Sequence, residues 1–401
     1  MLQASIELYK KAYTGIPKPI WWLSLVMFIN RSGTMVIPFL TVYLTSNGYT
    51  LSQAGTVMSA FGLGAILGSF VGGKLSDRFG FFWVQFYSLL LNGIFFIILS
   101  YVEGLWPFTI TIFLLASVGE AFRPANAAAI AAYSNDSNRT RAYSLNRLAI
   151  NLGWAIGPAI GGLLVYYFNY KLLFWADGFT CIAASLLLYA FLFGYHKKVM
   201  GEQPEHKESK PVVGSAYKDA VFMQGMVGVL LIGVCFFQLF SILPVYYKEE
   251  VHLSENIIGL ILASNGILIV LIEMILVYKL EHKQTPLFYM IIGTLLIALS
   301  FLVLALVPQL LFVGISMLLV TFGEMLLFPF TNSFWVSRTN NFNRGQYAAA
   351  YAMTFAIAQV LSPIIASKVV AKTDFSILFI GDFILCSLAA LGFLWLRKKE
   401  D

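Results

Sequence analysis

The chain contains twelve runs of about twenty or more residues that carry almost no charge, separated by short polar segments. A helix of about twenty apolar residues spans the hydrocarbon core of a bilayer, which is about 30 Å thick. Because hydrocarbon offers no partner for backbone N–H and C=O groups, only a structure that pairs them internally can cross it. The runs therefore predict an all-α membrane protein with twelve transmembrane helices.

The composition agrees with this prediction. Hydrophobic residues make up 59% of the chain and charged residues 11%, against roughly 25% charged in an ordinary soluble domain. The predicted spans are 19–46, 51–72, 81–102, 106–132, 142–168, 172–195, 220–247, 255–279, 285–306, 309–337, 345–370 and 374–396.

The distribution of basic residues predicts the orientation of these spans. Of the 26 Lys and Arg residues, 20 fall on one side of the predicted membrane, four on the other and two within spans. Because loops rich in Lys and Arg stay in the cytoplasm, we expect both termini to be cytoplasmic. The net charge of +6 is then a topology signal, and no nucleic-acid partner is expected.

One long polar segment, 196–219, divides the chain into two halves of six spans each. We predict an N-terminal six-helix bundle at 1–195, a cytoplasmic linker at 196–219 and a C-terminal six-helix bundle at 220–401. The halves share residues at an offset of 205 positions, which indicates an internal repeat. The matching pairs are Lys74 and Lys279, Pro124 and Pro329, Arg139 and Arg344, Pro158 and Pro363, Asp177 and Asp382, and Cys181 and Cys386.

A charged and glycine-containing segment, Gly73–Gly80, lies between the second and third predicted spans. Adjacent Asp77 and Arg78 are too costly in hydrocarbon, so the segment is predicted to form a cytoplasmic turn. Its sequence, from Gly73 through Asp77 and Arg78 to Gly80, resembles the G-x-L-x-D-R-x-G signature of the major facilitator superfamily. The family pattern usually continues with basic residues, whereas this chain has phenylalanines.

The resemblance covers essentially the whole chain and implies the major facilitator fold of two six-helix bundles. It also implies that Asp77 and Arg78, with Gly73 and Gly80, hold the cytoplasmic ends of the halves together in one transport state. The alternative is local: Asp77 caps the following helix and Arg78 anchors at lipid headgroups.

A second motif lies in the fifth predicted span. Its glycines and proline have a spacing that lets a neighbouring helix approach closely, and the set is Gly153, Gly157, Pro158, Gly161 and Gly162. It resembles the fifth-helix pattern associated with antiporters of the superfamily, particularly the drug/proton antiporters. Close packing alone also explains such glycines, and Gly-Pro occurs in symporters as well.

Charged residues inside predicted spans are the candidates for coupling. Glu324 lies near the middle of the tenth span with no basic residue within a helical turn, an environment that favours reversible protonation of a carboxyl. Glu273, in the eighth span, is a second candidate and lies six residues before Lys279. The leading proton carrier is Glu324, acting with Glu120 or Glu273.

Glu120 and Arg123 lie three residues apart in the fourth span, on one helix face, immediately before a proline. They can form part of a polar cavity or a self-neutralised packing pair. Arg31 and its neighbour Asn30, in the first span, are candidates for contact with substrate, or Arg31 reaches the membrane surface.

Aromatic residues are abundant, with 35 Phe, 20 Tyr and 8 Trp. We expect Tyr43, Tyr246 and Gln238 to line a substrate cavity together with Arg31, Arg123 and Asn30. Aromatic faces attract organic cations, although aromatic residues in membrane helices also face lipid or pack in the bundle.

These features predict a proton-coupled antiporter that exports lipophilic or cationic compounds by alternating access. The alternatives are a proton-coupled symporter for a polar nutrient such as a peptide, sugar or organic acid, and a membrane receptor on the same scaffold. No motif indicates an enzyme, a metal site or a cofactor, and the proton gradient is the expected energy source. We expect a monomer in the plasma (inner) membrane, with protons, lipids and a small-molecule substrate as its partners.

Overall fold

The computed structural model describes residues 15–135, 138–201, 216–280, 283–338 and 344–400. Within these ranges the chain forms α-helices and one short 3₁₀ helix at Ala216–Lys218, and no strand. The helices are α1 Lys18–Ser32, α2 Val36–Ser46, α3 Leu51–Phe79, α4 Phe81–Leu99, α5 Leu105–Glu120, α6 Phe122–Tyr133, α7 Arg139–Tyr167, α8 Lys171–Gly201, α9 Ala220–Phe236, α10 Gln238–Ser241, α11 Leu243–Glu249, α12 Glu255–Leu280, α13 Pro286–Leu306, α14 Leu310–Ser337, α15 Arg344–Lys372 and α16 Phe375–Glu400.

The all-α prediction and the predicted spans are confirmed. The described residues contain twelve helical segments long and apolar enough to cross a bilayer. Their order follows the predicted order. Most of the predicted linker, residues 202–215, lies outside the described ranges.

Three predicted spans are interrupted rather than continuous. Each interruption lies shortly before a proline, which lacks the N–H that would bond the carbonyl four residues earlier. The first span breaks at 33–35 before Pro38, the fourth at Ala121 before Pro124, and the seventh at Phe237 and Ile242 before Pro244.

The predicted turn at 73–80 is mostly wrong. Helix α3 continues to Phe79, and Gly80 alone separates it from α4. Gly80 has a φ of 84°, a conformation that glycine adopts without steric cost. Residues 73–79 contain no proline, so the helix continues for about two turns beyond the apolar run and includes Asp77 and Arg78.

The helices pack into two compact units. One comprises Met1–Met35, Gly64–Gly157 and Lys171–His206, and the other comprises Val36–Leu63, Pro158–Tyr170 and Lys207–Asp401. Two segments from the first half of the chain therefore pack with the second half. The division at 196–219 into two bundles stays a prediction.

The first unit has an apolar core with aromatic contacts between the start of α4 and the last turns of α8. Phe82 is fully buried and stacks on His196 with ring centroids 4.8 Å apart. Helices α4 and α8 pack along each other, as do α1 and α8. This core holds the C-terminal end of α1, where Arg31 lies.

The second unit joins α3 to α15 by close backbone contact. Ser59 Oγ donates to the Val360 carbonyl oxygen at 3.1 Å, and a Cβ on Gly62 would lie 3.0 Å from a Val360 methyl group. Its helix α13 packs against both α14 and α16. Within this unit, first-half and second-half helices thus meet with little space between them.

Asp219 joins three helices of the second unit at one end. Its carboxylate accepts from the Phe222 N–H at 3.0 Å, which caps α9. It also accepts from Arg338 Nε at 2.8 Å and from the Tyr347 hydroxyl at 3.0 Å. Burial of the carboxyl opposes ionisation, but these hydrogen bonds outweigh it and hold the pKa of Asp219 below its ordinary value.

Replacing Asp219 with Ala is expected to lower the free energy of unfolding by about 2 to 4 kcal/mol, because a cap and a partly buried ion pair are both lost. The lowered pKa gives a sign to the pH dependence. The contribution is complete at neutral pH and is lost as pH falls through the lowered pKa of the folded state, below the ordinary value of 3.8.

Thermal unfolding of purified protein between neutral and acidic pH measures this difference. Asp374→Ala is the matched control, because Asp374 caps α16 through the Ile377 N–H at 2.8 Å but is exposed. Its loss should cost only about 1 kcal/mol. Equal effects of the two variants would contradict a stabilising role for the Asp219–Arg338 pair.

Candidate transport sites

Arg31 lies one residue before the end of α1, at the break of the first span. Its Nε atom is buried and has no hydrogen-bond partner. Glu120, Arg123 and Cys181 are the charged or polarisable groups that act on it electrostatically. Burial of an Arg nitrogen without an acceptor is costly, which suits a residue that meets a ligand there.

Asn30, the neighbour of Arg31, belongs to a cluster of polar side chains in the first unit. Asn30 Nδ2 lies 3.4 Å from Cys181 Sγ, and Asn92 Nδ2 lies 3.6 Å from the same sulfur. The Asn92 Oδ1 atom is buried without a partner. Two amides thus meet at the Cys181 sulfur, which also acts electrostatically on Arg31.

Glu120 and Arg123 lie on either side of the break in the fourth span. Glu120 Oε2 and Arg123 Nη1 are 3.9 Å apart, and their side chains are 20% and 75% exposed. The long distance and the exposure of Arg123 make this a weak ion pair. Arg123 is therefore available to another partner.

Glu324 is buried in the middle of α14 in the second unit and is 7% exposed. Its Oε1 atom accepts from Asn265 Nδ2, which also donates to Thr321 Oγ1 at 2.9 Å. Among the described residues no Lys or Arg forms an ion pair with it. Neutral partners leave the carboxyl free to bind or release a proton without breaking a salt bridge.

Glu273 lies in the second half of α12, seven residues before the end of the helix at Leu280. It is 7% exposed. Helix α12 packs on α14, so both candidate carboxyls lie in one unit. The coupling role of Glu273 stays a prediction.

Five aromatic residues form a cluster near Glu324 in the second unit. Phe236 and Phe328 meet edge to face with centroids 4.9 Å apart, and Phe328 lies four residues from Glu324 on the same helix face. The cluster comprises Phe236, Phe237, Phe328, Tyr351 and Phe355. All but Phe236 are half-buried, so their faces remain partly open to a bound molecule.

The other predicted cavity residues have contacts of their own. The Tyr246 hydroxyl donates to the Leu304 carbonyl oxygen at 3.1 Å, and the ring packs edge to face on Phe379. Gln238 is fully buried and donates to Asp382. Tyr43 packs on Tyr170 with centroids 5.9 Å apart. These contacts explain the positions of the three side chains by packing, and their contact with substrate stays a prediction.

The glycines of the fifth span lie at close helix contacts. A Cβ on Gly153 would lie 2.5 Å from Arg31 Cβ, and one on Gly157 would lie 3.0 Å from the Thr34 carbonyl oxygen. Pro158 and Gly161 are buried within the helix. Farther along α7, a Cβ on Gly162 would lie 2.4 Å from the Glu255 carbonyl oxygen. Larger residues at these positions would push the helices apart.

The predicted gating residues lie at the end of α3. Arg78 is exposed, and its guanidinium carbon lies 5.2 Å from the centre of the Phe79 ring. A Cβ on Gly73 would meet no atom within 4 Å. The side chain of Asp77 lies outside the described residues. The gating role of this segment stays a prediction.

Three polar residues that the sequence reasoning did not single out belong to these sites: Asn92, Asn265 and Thr321. In the sequence, each of them is an uncharged polar residue in the middle of an apolar run. Such residues are common in membrane helices, where they also serve packing. Only their contact with Cys181 or Glu324 distinguishes them.

In the part of the chain that the structure describes, twelve helical segments long and apolar enough to cross a bilayer define an integral membrane protein. The family model described as Major Facilitator Superfamily matches residues 20–363, so the chain belongs to that superfamily. As its membership indicates, it is a non-enzymatic transporter.

Relatives and structural neighbours agree with this assignment. The chain is 25% identical to the Na(+), Li(+), K(+)/H(+) antiporter of Planococcus maritimus, over 93% of this chain and 94% of that one. It is 24% identical to the multidrug resistance protein MdtG of Salmonella heidelberg, over 40% of this chain and 39% of that one. The fold matches the crystal structure of the peptide transporter POT in complex with sulfate at a TM-score of 0.81, with 17% identity and 96% of each chain covered.

Proposed function

We propose that the chain is a proton-coupled antiporter that exports lipophilic or cationic compounds from the cell. The observation that carries this proposal is the position of Glu324, a buried carboxyl with neutral partners, beside the partly open aromatic cluster. A carboxylate and aromatic faces both attract an organic cation. Proton and cation would then compete for Glu324, and this competition exchanges one for the other.

The named relatives support exchange against protons. One full-length relative is called an antiporter of alkali cations and protons, and a partial relative is called a multidrug resistance protein. The antiporter-like glycine motif of the fifth span adds to this support. A second candidate function is therefore exchange of Na⁺, Li⁺ or K⁺ for protons at the same carboxyl.

Alternating access supplies the mechanism. In the second unit, Glu255 on α12 is joined to Lys248 by an ion pair and to the Tyr170 hydroxyl at 2.8 Å. Tyr170 belongs to the first half of the chain, so this contact joins the halves on the side poor in Lys and Arg. We propose that it closes the outer side in one state and opens in the other.

The charge distribution supports a plasma (inner) membrane location with both termini in the cytoplasm. On this orientation, protons enter from outside, protonate Glu324 and displace the substrate outward. The proton gradient supplies the energy.

The direction of transport in proteoliposomes tests the proposal. Vesicles with an acidic lumen should accumulate a permanent quaternary ammonium cation, because protons leave as the cation enters. A permanent cation cannot be trapped by protonation, so accumulation reports exchange. Uptake that instead requires an acidic exterior would establish the symporter and overturn the antiporter.

The same vesicles distinguish the two substrate classes. With a pH-sensitive dye in the acidic lumen, addition of an exported cation should raise the luminal pH. A response to the quaternary ammonium compound but not to Na⁺, Li⁺ or K⁺ supports the first function. The opposite pattern supports the second.

A further inference from the structure

Gln238 and Asp382 form a buried pair that the proposed coupling at Glu324 does not use. Gln238 begins α10, directly after the break of the seventh span, and Asp382 lies on α16. Gln238 Nε2 donates to Asp382 Oδ1 at 2.9 Å. The two residues are 0% and 3% exposed.

The amide oxygen of Gln238 and the second carboxyl oxygen of Asp382 have no partner. Gln238 Oε1 and Asp382 Oδ2 are both buried, and neither has a hydrogen bond. An ionised carboxylate and an amide oxygen are both acceptors only, so they cannot satisfy each other. Buried polar atoms are nearly always paired, and two orphaned acceptors on one hydrogen-bonded pair therefore require an explanation.

A proton on Asp382 Oδ2 removes both deficits. The carboxylic acid O–H can donate to Gln238 Oε1 while Gln238 Nε2 donates to Oδ1. Two planar groups then form a cyclic pair with two hydrogen bonds.

The surroundings of Asp382 offer no alternative counter-charge. Helices α9, α13 and α15 pack against α16. Helix α9 brings the neutral thiol of Cys235, which lies beside Asp382 and donates to its backbone carbonyl oxygen at 3.9 Å. Helix α13 brings Tyr289, whose hydroxyl donates to the Leu280 carbonyl oxygen. The titratable residues with described side chains on α15 are Tyr347, Tyr351, Lys368 and Lys372. In the described part of the chain, none of these basic residues forms an ion pair with Asp382.

The repeat provides a contrast within the same protein. Asp177 is the equivalent of Asp382 in the first half, and it also contacts the break in the first span of its half. There both carboxylate oxygens accept from the Met35 N–H, at 3.0 and 3.2 Å. Asp177 is thus satisfied as an ionised carboxylate, whereas Asp382 is not.

We propose that Asp382 carries a proton and closes a cyclic acid–amide pair with Gln238, which makes this pair a second proton-binding site separate from Glu324. Proton release to solvent leaves a carboxylate and removes one of the two hydrogen bonds between α10 and α16. The break in the seventh span is then held to α16 by the single hydrogen bond from Gln238 Nε2 to Asp382 Oδ1. Proton binding at this site is therefore linked to the position of α10.

Infrared spectroscopy of the purified protein in lipid tests the proposal directly. The Glu324→Gln protein used for this test also carries Glu273→Gln and Glu120→Gln, so no carboxyl of the proposed coupling contributes to the spectrum and the outcome does not depend on the proposed function of Glu324. At neutral pH the spectrum should contain the carbonyl band of a protonated carboxylic acid that shifts in D₂O. Asp382→Asn should abolish this band, and Asp177→Asn, the matched control, should leave it.

Further variants keep the test decisive. The amide of Asp382→Asn can make the same two hydrogen bonds, so the variant should retain its thermal stability. Gln238→Leu should shift the band to the frequency of an acid without a hydrogen bond, which provides an independent readout if Asp382→Asn does not fold. A band that survives Asp382→Asn, or is absent from the Glu324→Gln protein, overturns the proposal. Loss of the band on addition of Na⁺ or K⁺ at constant pH also overturns it, because the pair would then bind a metal cation.

Discussion

Replacing Glu324 with Gln is expected to abolish accumulation driven by a pH gradient, a loss of at least about tenfold in the proteoliposome assay. Glutamine keeps the volume of the side chain and can still accept from Asn265. It cannot exchange a proton. The variant should therefore fold, bind a cationic substrate more weakly because the carboxylate charge is gone, and lose the coupling between the two fluxes.

Substrate exchange at equal pH on both sides is the control for this variant. Such exchange requires binding and the conformational change but no net proton movement. At a substrate concentration high enough to offset the weaker binding, Glu324→Gln should retain it within a few-fold, whereas a variant that is merely unfolded loses both activities at every concentration. Normal accumulation by Glu324→Gln under a pH gradient would assign the coupling to another residue, with Glu273 and Glu120 as the next candidates.

The helical architecture was predictable because the hydrocarbon core constrains length and charge at the same time. Twelve apolar runs predicted the twelve spans, and the structure confirms them. The same reasoning placed the end of the second span too early, at residue 72, because it treated charge as a helix terminator. Helix α3 ends only at Phe79, before the change of backbone conformation at Gly80, since charge at a membrane surface does not unwind a helix.

The breaks in the first, fourth and seventh spans show a second limit. Hydropathy does not detect them, because a broken span is as apolar as a continuous one. The prolines were visible, but Pro158, Pro329 and Pro363 lie inside unbroken helices. A proline weakens a helix locally, and tertiary contacts determine whether the helix then breaks.

Candidate site residues were predictable when their burial was costly. Glu324 followed from its charge in an apolar run, and the structure places it among neutral partners. Asn265 and Thr321 did not follow, since a neutral polar residue in a span has several explanations. The pairing of Gln238 with Asp382 depends on the packing of α10 on α16, and sequence spacing carries no information about a contact between residues 144 positions apart.

Replacing Gly162 with Leu is expected to stop transport while leaving the protein folded. Gly162 on α7 faces Gly259 on α12, and a Cβ at either position would come within 2.4 Å of a backbone oxygen, that of Glu255 or of Pro158. A flexible side chain could move away, but helical backbone cannot. Leucine would therefore hold α7 and α12 apart and prevent the closed arrangement seen in the second unit.

This effect follows from alternating access, because Gly162 belongs to the first half of the chain and Gly259 to the second. If the two helices separate and rejoin in each cycle, a residue that blocks rejoining lowers turnover by at least about tenfold without removing the substrate site. Equilibrium substrate binding and continuous transport, measured on one preparation, distinguish a lower turnover from a lost substrate site. Gly314→Leu is the control, since a Cβ there meets no atom within 4 Å, and it should transport normally. Full turnover by Gly162→Leu would show that α7 and α12 need not close, and the contact would then have no role in the cycle.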